Sequence, residues 1–418
     1  MAVNTALESA LLKKHTGSVH CRIVPPASKS ESNRVLIIDA LSGMQSKLEN
    51  LSNARDTQTM IRLLKSDDKT LDVIDAGTTM RFLTAFTAIT GRASILTGTQ
   101  RMRERPIKLL VDALRTLGAH IDYLENEGFP PIEIKVMDKK SIKTNQLRIR
   151  GDVSSQYITA LLMIGPLLPT GLILELQGKI GSKPYIAMTL SLMKHFGVVA
   201  NWTGNVIQLP HQTYKPNTYK VESDWSAASY WYSIAALAEE ASVEILNYQE
   251  NSFQGDRAIV EIMKPLGVKS TFTADGLLLE KIPAQDVFEY DFTDSPDLAQ
   301  TIAVVCAAKG ITATFSGLES LRIKETDRIA ALQKELAKFG AEVIELKKDE
   351  VYQVLPGSFK VNGQTVSTYK DHRMAMAFAP LALLGNINIE NPKVVEKSYP
   401  HYWDDLKKAG FEIENINN

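Results

Sequence analysis

The sequence has 418 residues and a mass of 46.3 kDa, with 47 Lys and Arg against 48 Asp and Glu and a formal net charge of −1. A hydrophobic share of 44% and a charged share of 23% are typical of a globular protein and exclude extended disorder, collagen and coiled coil. The charge balance argues against a general polyanion binder such as a nucleic-acid-binding protein, whereas a small anionic ligand needs only local positive charge.

Two kinds of predicted helix alternate along the chain. The first kind opens on small or polar residues and continues with apolar ones, which predicts a mostly buried helix. Its openings, in chain order, are S-K-S-E-S-N-R (28–34), A-G-T-T-M-R (76–81), S-S-Q-Y (154–157), W-S-A-A-S-Y (225–230), S-P-D-L-A-Q (295–300) and D-H-R-M-A-M (371–376). These openings predict six repeated units of about 70 residues each.

The second kind of helix is amphipathic and ends at a glycine that precedes a predicted strand. The glycines are Gly118, Gly197, Gly267, Gly340 and Gly410, at intervals of 70 to 79 residues. Glycine suits this place because it adopts the left-handed conformation that ends a helix. Chance spacing is the alternative, but two interleaved series favour an α/β chain of repeated supersecondary units.

Basic residues stand at many of the helix openings. They are Lys29, Arg34, Arg81, Arg101, Arg103, Arg105, Arg322, Lys324, Arg328 and Arg373, with Lys397 near the C-terminus. A helix N-terminus favours anions, and arginine forks match phosphate and carboxylate oxygens. The set therefore predicts a converging anion site, although a single basic residue is more often a solvated surface charge.

Acidic residues accompany these cations. Asp294 and Asp297 flank S-P at a helix opening, and Glu325 and Asp327 lie in K-E-T-D-R (324–328). A helix cap is the interpretation that suits Asp294. Asp297 and Glu325 are candidates for a general base and a proton-transfer group, with pKa values set by neighbouring charges.

Several other classes of site are not indicated. The sequence has no Walker motif, no G-x-G-x-x-G after a strand, no H-E-x-x-H and no G-x-S-x-G, and its seven histidines show no metal-ligand spacing. Cys21 and Cys306 are expected to be reduced and buried. The N-terminus has no apolar signal core, and the apolar stretch 160–173 is broken by prolines and glycines, so we expect a cytoplasmic protein outside the membrane.

The motifs together resemble the 3-phosphoshikimate 1-carboxyvinyltransferase (EPSP synthase) family. The matching segments are P-A-S-K-S-E-S-N-R, D-A-G-T-T-M-R, R-M-R-E-R-P, S-S-Q-Y-I-T-A-L-L-M, S-K-P-Y, S-P-D-L-A-Q-T-I-A, K-E-T-D-R, D-H-R-M-A-M and E-K-S-Y-P, in the family's order from about residue 25 to residue 402. Each segment is weak alone, and the set is specific.

The resemblance implies a two-domain inside-out α/β barrel of six βαβαββ-type repeats, three per domain. One domain would join residues 1–22 to 226–418 on the phosphoenolpyruvate side, and residues 23–225 would form the other on the shikimate 3-phosphate side. The active site would lie in the cleft between them. A monomer is the family expectation.

The resemblance also implies the reaction, which transfers the enolpyruvyl group of phosphoenolpyruvate to the 5-hydroxyl of shikimate 3-phosphate by addition and elimination, without a metal or organic cofactor. Asp297 would accept the hydroxyl proton, and Glu325 with Lys29 would handle the proton at the methylene carbon. The residues implied to bind phosphoenolpyruvate are Lys29, Gly77, Arg105, Gln156, Arg328, Arg373 and Lys397. Those implied to bind shikimate 3-phosphate are Ser30, Arg34, Ser154, Ser155, Gln156, Ser182, Tyr185, Asp297 and Lys324.

The sequence departs from the family pattern at a few positions. Asp75 stands where Asn usually precedes A-G-T, and a carboxylate there is unfavourable unless Arg or Lys pairs with it. Phe82 replaces a proline and could tilt its helix, which leaves the response to glyphosate open. Ser320 and Leu321 replace Asn and Trp, which puts one contact to the shikimate phosphate in doubt.

Three other interpretations remain open at this stage. The sister enzyme that transfers enolpyruvyl to a UDP-linked N-acetylglucosamine shares the implied fold and donor, but it typically uses a cysteine in a mobile loop. A non-catalytic anion-binding protein would not need Asp297, Glu325 and Lys29 together. A nucleic-acid-processing relative is disfavoured by the charge balance.

Overall fold

A computed structural model describes residues 8–137, 142, 144–152 and 154–414. Its strands are β1 (Ser9–Leu12), β2 (Val19–Ile23), β3 (Lys47–Glu49), β4 (Thr70–Asp72), β5 (Ser94–Thr97), β6 (Ile121–Tyr123), β7 (Ile132–Ile134), β8 (Gln146–Arg150), β9 (Leu172–Gln177), β10 (Asn201–Thr203), β11 (Val206–Leu209), β12 (Thr218–Lys220), β13 (Ala241–Leu246), β14 (Val268–Phe272), β15 (Gly276–Lys281), β16 (Val287–Asp291), β17 (Thr312–Ser316), β18 (Glu342–Lys347), β19 (Val351–Leu355), β20 (Thr365–Val366), β21 (Ile387–Glu390) and β22 (Ile413–Glu414).

The α-helices lie between these strands. They are α1 (Lys29–Ser42), α2 (Arg55–Lys65), α3 (Gly77–Thr90), α4 (Gln100–Arg103), α5 (Lys108–Thr116), α6 (Ser155–Ile164), α7 (Lys183–His195), α8 (Trp225–Leu237), α9 (Ile259–Met263), α10 (Ala299–Ala308), α11 (Arg328–Ala337), α12 (His372–Phe378) and α13 (Tyr402–Lys408). In the part of the chain that the structure describes, no helix is long and apolar enough to cross a membrane.

The chain forms two compact units. The first unit contains the residues up to Pro26, Glu222–Ser252 and the residues from Asp256 onward. The second contains Ala27–Val221 and Phe253–Gly255. Each unit has its own hydrophobic core.

One sheet pattern recurs in both units. The first unit contains the sheets β20-β21-β1-β22, β14-β15-β13-β2 and β16-β17-β19-β18, and the second contains β4-β5-β7-β6, β10-β11-β9-β8 and the two-stranded β12-β3. Each four-stranded sheet of the described chain has one parallel pair at an edge and two antiparallel pairs. Three sheets per unit agree with the predicted count of three repeats per domain.

The two predicted kinds of helix are both present. In α3 the sequence GTTMRFLTAFTAIT is buried at twelve of its fourteen residues, and α10 is buried from Ala299 to Ala307. By contrast, α5 buries only a stripe of Leu110, Val111 and Leu114, as expected for an amphipathic helix. The five repeat glycines all have φ between 86° and 99°, so the left-handed conformation predicted for them is confirmed.

The two cysteines differ in exposure. Cys306 is free and buried in α10, as predicted. Cys21 is free but only partly buried, so the prediction of two buried thiols is wrong for this residue. It lies in β2, an edge strand of its sheet, where it is partly buried and packs against the core of the first unit.

Candidate active site: two clusters of charged side chains

Five short segments build a charged cluster in the first unit. Asp297 lies in the 3₁₀ turn Pro296–Leu298 that leads into α10. Lys324 and Glu325 follow the 3₁₀ turn Glu319–Ile323 and precede α11. The remaining members are Arg328 at the start of α11, Asp371 and Arg373 at the start of α12, and Lys397 at the end of the 3₁₀ turn Pro392–Lys397.

Arg328 is the centre of this cluster. Its side chain is 2% exposed, and its three nitrogens donate to three different carboxylates. Nε donates to Asp371 at 2.8 Å, Nη1 to Asp297 at 2.8 Å and Nη2 to Glu325 at 3.0 Å. Burial alone would lower the pKa of Arg328, but the three carboxylates outweigh it and raise the pKa further above its ordinary value. One guanidinium therefore fixes both predicted proton-transfer carboxylates.

Arg373 holds the second oxygen of Asp297. Its Nη2 donates to Asp297 Oδ2 at 2.9 Å, and its backbone N–H donates to Asp371 Oδ1 at 2.9 Å. The ammonium of Lys324 lies 3.7 Å from Asp297 Oδ1. Burial raises the pKa of Asp297, but its cationic neighbours, Arg373 first, are stronger and hold the pKa well below the ordinary carboxyl range. Asp297 is therefore ionised and tightly paired.

Glu325 lies between two cations. Arg328 donates to its Oε2, and Lys397 Nζ lies 3.6 Å from its Oε1. Lys397 is almost fully buried, with a side chain 3% exposed. A buried ammonium needs a charged partner, and Glu325 provides one for Lys397.

The second unit contains a separate cluster around the start of α3. A methyl group added at Gly77 would lie 2.6 Å from Arg105 Nη1 and 2.7 Å from Arg81 Nη1. Only glycine therefore lets both guanidiniums approach the helix start so closely. Arg81 Nη1 donates to the carbonyl of Gly77 and to Gln156 Oε1, both at 3.0 Å, and Gln156 Nε2 donates to Thr78 at 3.0 Å.

Lys29 and Arg34 lie on the first turns of α1. Lys29 Nζ pairs with the buried Asp56 at 3.2 Å. Arg34 is 2% exposed, and it donates to Thr189 at 2.8 Å, to Thr159 at 3.4 Å and to the carbonyl of Ser30 at 2.9 Å. Burial lowers the pKa of Arg34 to about 10, which leaves it cationic at neutral pH. Its hydrogen bonds thus go to neutral hydroxyls and a carbonyl, and its positive charge can attract an incoming anion.

The predicted serines and tyrosine lie at two other helix starts of the second unit. Ser154 is the N-cap of α6, where its hydroxyl accepts from the backbone N–H of Gln156, and Ser155 is the first residue of that helix. Ser182 precedes α7 with a left-handed φ of 54°, and the backbone N–H of Tyr185 donates to its carbonyl.

Two of the unusual residues have clear partners. Arg55 Nη2 donates to both oxygens of Asp75, at 3.1 and 3.0 Å, which provides the cation that this carboxylate requires. Phe82 is fully buried inside α3, and the guanidinium carbon of Arg34 lies 5.6 Å from its ring centroid. That distance allows a cation–π interaction.

Some predicted cations are not gathered into either cluster. Arg101 pairs with Glu104 at 3.4 Å, and Arg103 pairs with Glu125 at 3.0 Å, both at exposed positions. Arg322 binds Asp327, Glu345 and Asp349 at the edge of the β18–β19 hairpin. Each of these three arginines is therefore a surface charge, the alternative that applies to most single basic residues.

Sequence reasoning missed two carboxylates that organise the clusters. The sequence pattern shows Asp371 only as the first residue of a helix opening, and the structure identifies it as the N-cap of α12. Asp56 begins α2 without any motif of its own. Among the residues that the structure places, no group of three or more His, Cys, Asp or Glu could hold a metal ion.

Known proteins match this chain over most of its length. The model of the family described as EPSP synthase (3-phosphoshikimate 1-carboxyvinyltransferase) matches residues 64–406. A relative from Bacteroides fragilis named 3-phosphoshikimate 1-carboxyvinyltransferase is 49% identical over 395 residues, which cover 93% of this chain and 95% of the relative. A relative of the same name from Haemophilus influenzae is 39% identical, covering 92% and 95%.

Solved structures show the same fold. An EPSP synthase from Acinetobacter baumannii aligns with a TM-score of 0.78 at 19% identity and covers 97% of this chain and 99% of its own. A second structure of an EPSP synthase from that organism gives a TM-score of 0.76 at 18% identity. The predicted fold class is therefore confirmed, and the sequence matches show that the chain belongs to the EPSP synthase family.

Proposed function

We propose that the protein transfers the enolpyruvyl group of phosphoenolpyruvate to the 5-hydroxyl of shikimate 3-phosphate and releases inorganic phosphate. Family membership supports the reaction. The structural observation that carries it is the attachment of both candidate proton-transfer groups, Asp297 and Glu325, to the single guanidinium of Arg328. Carboxylates can pair with buried cations in any anion site, but the transfer also needs proton acceptors, and these two carboxylates are placed to provide them.

In the proposed addition step, the 5-oxygen of the acceptor bonds to C2 of phosphoenolpyruvate while Asp297 takes the hydroxyl proton. The methylene carbon receives a proton from Glu325 or Lys29, which gives a tetrahedral intermediate. In the elimination step the same carbon loses a proton and the C2–O bond to phosphate breaks. Each step needs a positioned proton donor or acceptor, and such groups typically contribute about 10²- to 10⁴-fold to a rate.

We also propose how the substrates divide between the residues. Arg328, Arg373 and Lys397 would bind phosphoenolpyruvate together with Lys29, Gly77, Arg105 and Gln156. Ser30, Arg34, Ser154, Ser155, Gln156, Ser182, Tyr185, Lys324 and Asp297 would bind shikimate 3-phosphate. Arg34 supports this division best, because the hydrogen bonds of its buried guanidinium go to neutral hydroxyls and a carbonyl, so that an incoming anion would balance its charge. The proposal includes a monomeric, cytoplasmic enzyme, which size-exclusion chromatography with light scattering and cell fractionation would test.

The alternative acceptor, a UDP-linked N-acetylglucosamine, is less well supported. The reaction on that acceptor typically uses a cysteine in a mobile loop. Here Cys21 lies within β2 and Cys306 is buried within α10. Neither position presents a thiol from a loop.

The test is phosphate release from phosphoenolpyruvate with each acceptor in turn. We expect release with shikimate 3-phosphate and none with the UDP-sugar. Release with the UDP-sugar alone would assign the other reaction, and no release with either would favour an anion-binding protein. An Arg105→Gln variant should raise the KM for phosphoenolpyruvate more than it lowers kcat, whereas Arg103→Gln, on the exposed Glu125 pair, serves as the matched control.

A further inference from the structure

A third carboxyl group lies next to the cluster of the first unit and has no role in the scheme above. Asp256 is 3% exposed and lies in the 3₁₀ turn Gly255–Ala258 before α9. Its Oδ2 accepts a hydrogen bond from the hydroxyl of Ser226, the second residue of α8. Burying a carboxyl group costs free energy unless hydrogen bonds or opposite charges around it compensate the loss of water.

Ser226 connects this carboxyl to the proposed base. The Ser226 hydroxyl has one proton, which it donates to Asp256, so its lone pairs are left for other donors. Arg373 Nη2 lies 3.4 Å from that oxygen and also donates to Asp297 Oδ2 at 2.9 Å. Each hydrogen bond fixes the orientation of the next, from Asp256 to Asp297.

The backbone holds Ser226 in place independently. The carboxylate of Asp224, the N-cap of α8, accepts from the backbone N–H of Ser226 at 2.9 Å. The hydroxyl of Tyr248 donates to the carbonyl of Asp224 at 2.9 Å. With its backbone fixed, Ser226 responds to Asp256 mainly through the rotation of its hydroxyl.

We propose that Asp256 is a positioning residue for the transfer reaction, acting through Ser226 on Arg373 and through Arg373 on Asp297. This inference rests on the proposed function. Asp256 has two effects: its hydrogen bond sets the direction of the Arg373 guanidinium, and its charge opposes that of the cations around Asp297.

The pKa of Asp256 shows in which direction its charge changes the basicity of Asp297. Burial, and next the charge of Asp297, raise the pKa of Asp256 to about 6, while Arg373 and the Ser226 hydrogen bond lower it and Asp224 adds to the rise. Asp256 is therefore ionised above about pH 6 and neutral below it. Because the interaction is mutual, an ionised Asp256 makes Asp297 a stronger base, and a neutral one makes it weaker.

Several charged groups face Asp297 and together set its pKa. They are Arg373 from α12, Lys324 and Glu325 from the segment before α11, Arg328 from α11, and Asp256 from the turn before α9. Among these groups, Asp256 is one whose pKa is raised to about 6. We therefore expect kcat to fall as the pH decreases through about 6, because Asp256 becomes neutral there.

The kinetic test uses Asp256→Asn, Ser226→Ala and Ser226→Thr, with Asp405→Asn as a control that removes another buried carboxylate, one paired with Tyr399 and Lys408. Asp256→Asn should lower kcat about 10-fold, the size expected when a hydrogen bond to a charged group is replaced by one to a neutral amide, and should remove the limb near pH 6. Ser226→Ala should lower kcat but keep the limb, and Ser226→Thr should restore kcat. The KM for shikimate 3-phosphate should stay unchanged throughout.

A wild-type kcat and pH profile in Asp256→Asn would overturn the inference. A lower kcat in Asp256→Asn would also overturn it if Asp405→Asn, at an equal loss of melting temperature, showed the same lower kcat. A wild-type protein without transfer activity would instead defeat the proposed function. Carboxyl ¹³C NMR separates the two cases, because it needs no turnover. In Asp297→Asn the pKa of Asp256 should fall, since a facing negative charge is gone; an unchanged titration would refute the coupling.

Discussion

Replacing Asp297 by Asn should separate turnover from binding. Asp297 receives Arg328 Nη1 at 2.8 Å and Arg373 Nη2 at 2.9 Å, with Lys324 Nζ at 3.7 Å. An amide of the same shape keeps one acceptor oxygen but turns an NH₂ group toward the other guanidinium. The variant therefore loses the proposed proton acceptor and one of the two strong hydrogen bonds.

The expected magnitudes follow from these contacts. Loss of a general base should lower kcat by about 10²- to 10⁴-fold. Binding of phosphoenolpyruvate should not weaken, and its Kd should fall by up to about tenfold, because removing one negative charge releases donors of two arginines to the incoming anion. The exposed neighbour Asp294 provides a matched control, since Asp294→Asn should keep wild-type turnover.

The assay is stopped-flow phosphate release for kcat, combined with calorimetric titration of phosphoenolpyruvate in the presence of shikimate 3-phosphate. Stability provides a second measurement with a definite sign. Because the pKa of Asp297 is held low in the folded protein, its contribution to stability is present above the ordinary carboxyl pKa and declines as the pH falls below that value. The difference in melting temperature between wild type and Asp297→Asn should therefore be largest at neutral pH and shrink in acid. Wild-type turnover in Asp297→Asn would refute the assignment of the base.

Two further variants test the unusual residues of the second unit. Phe82→Leu removes the ring beside the guanidinium of Arg34 and should raise the KM for shikimate 3-phosphate about 3- to 10-fold with little change in kcat. The control Phe86→Leu, one turn further along α3, should lose similar stability without a change in KM. Equal KM values in the two variants would contradict the cation–π role. Asp75→Asn removes the carboxylate paired with Arg55 and should change the free energy of unfolding by less than about 1 kcal/mol. Because a negative charge is removed, the variant should also have a lower KM for phosphoenolpyruvate. Steady-state kinetics that show an unchanged or higher KM would contradict this expectation.

Local sequence was sufficient for the parts of the fold that depend on backbone conformation and burial. The positive φ of Gly118 and its four equivalents follows from the end of an amphipathic helix, and the burial of α3 and α10 follows from their continuous apolar sequence. Both signals arise from neighbouring residues. That is why the repeat could be predicted without any knowledge of its sheets.

Position at a helix opening did not decide which cations gather. Arg105 and Arg103 are two residues apart in one motif, yet Arg105 lies beside Gly77 while Arg103 pairs with Glu125 at an exposed site. Arg103 is the last residue of α4 and Arg105 lies beyond the end of that helix, a difference that the motif does not encode. Similarly, Arg328 and Asp371 are 43 residues apart, and only tertiary structure shows that they share a hydrogen bond.

The pairing of cations with carboxylates in the first unit suggests how the proposed base becomes active. As long as Arg328 and Arg373 donate to Asp297, the pKa of this carboxyl stays far below the range in which it accepts a proton from an alcohol. A phosphate or carboxylate that binds to the same guanidiniums must share their N–H groups, because each arginine has a fixed number of donors. Sharing weakens the hold on Asp297 and raises its pKa. If Asp297 is the base, we therefore expect its basicity to rise when the anion site is occupied, so that proton transfer is favoured only when the anion to be attacked is in place.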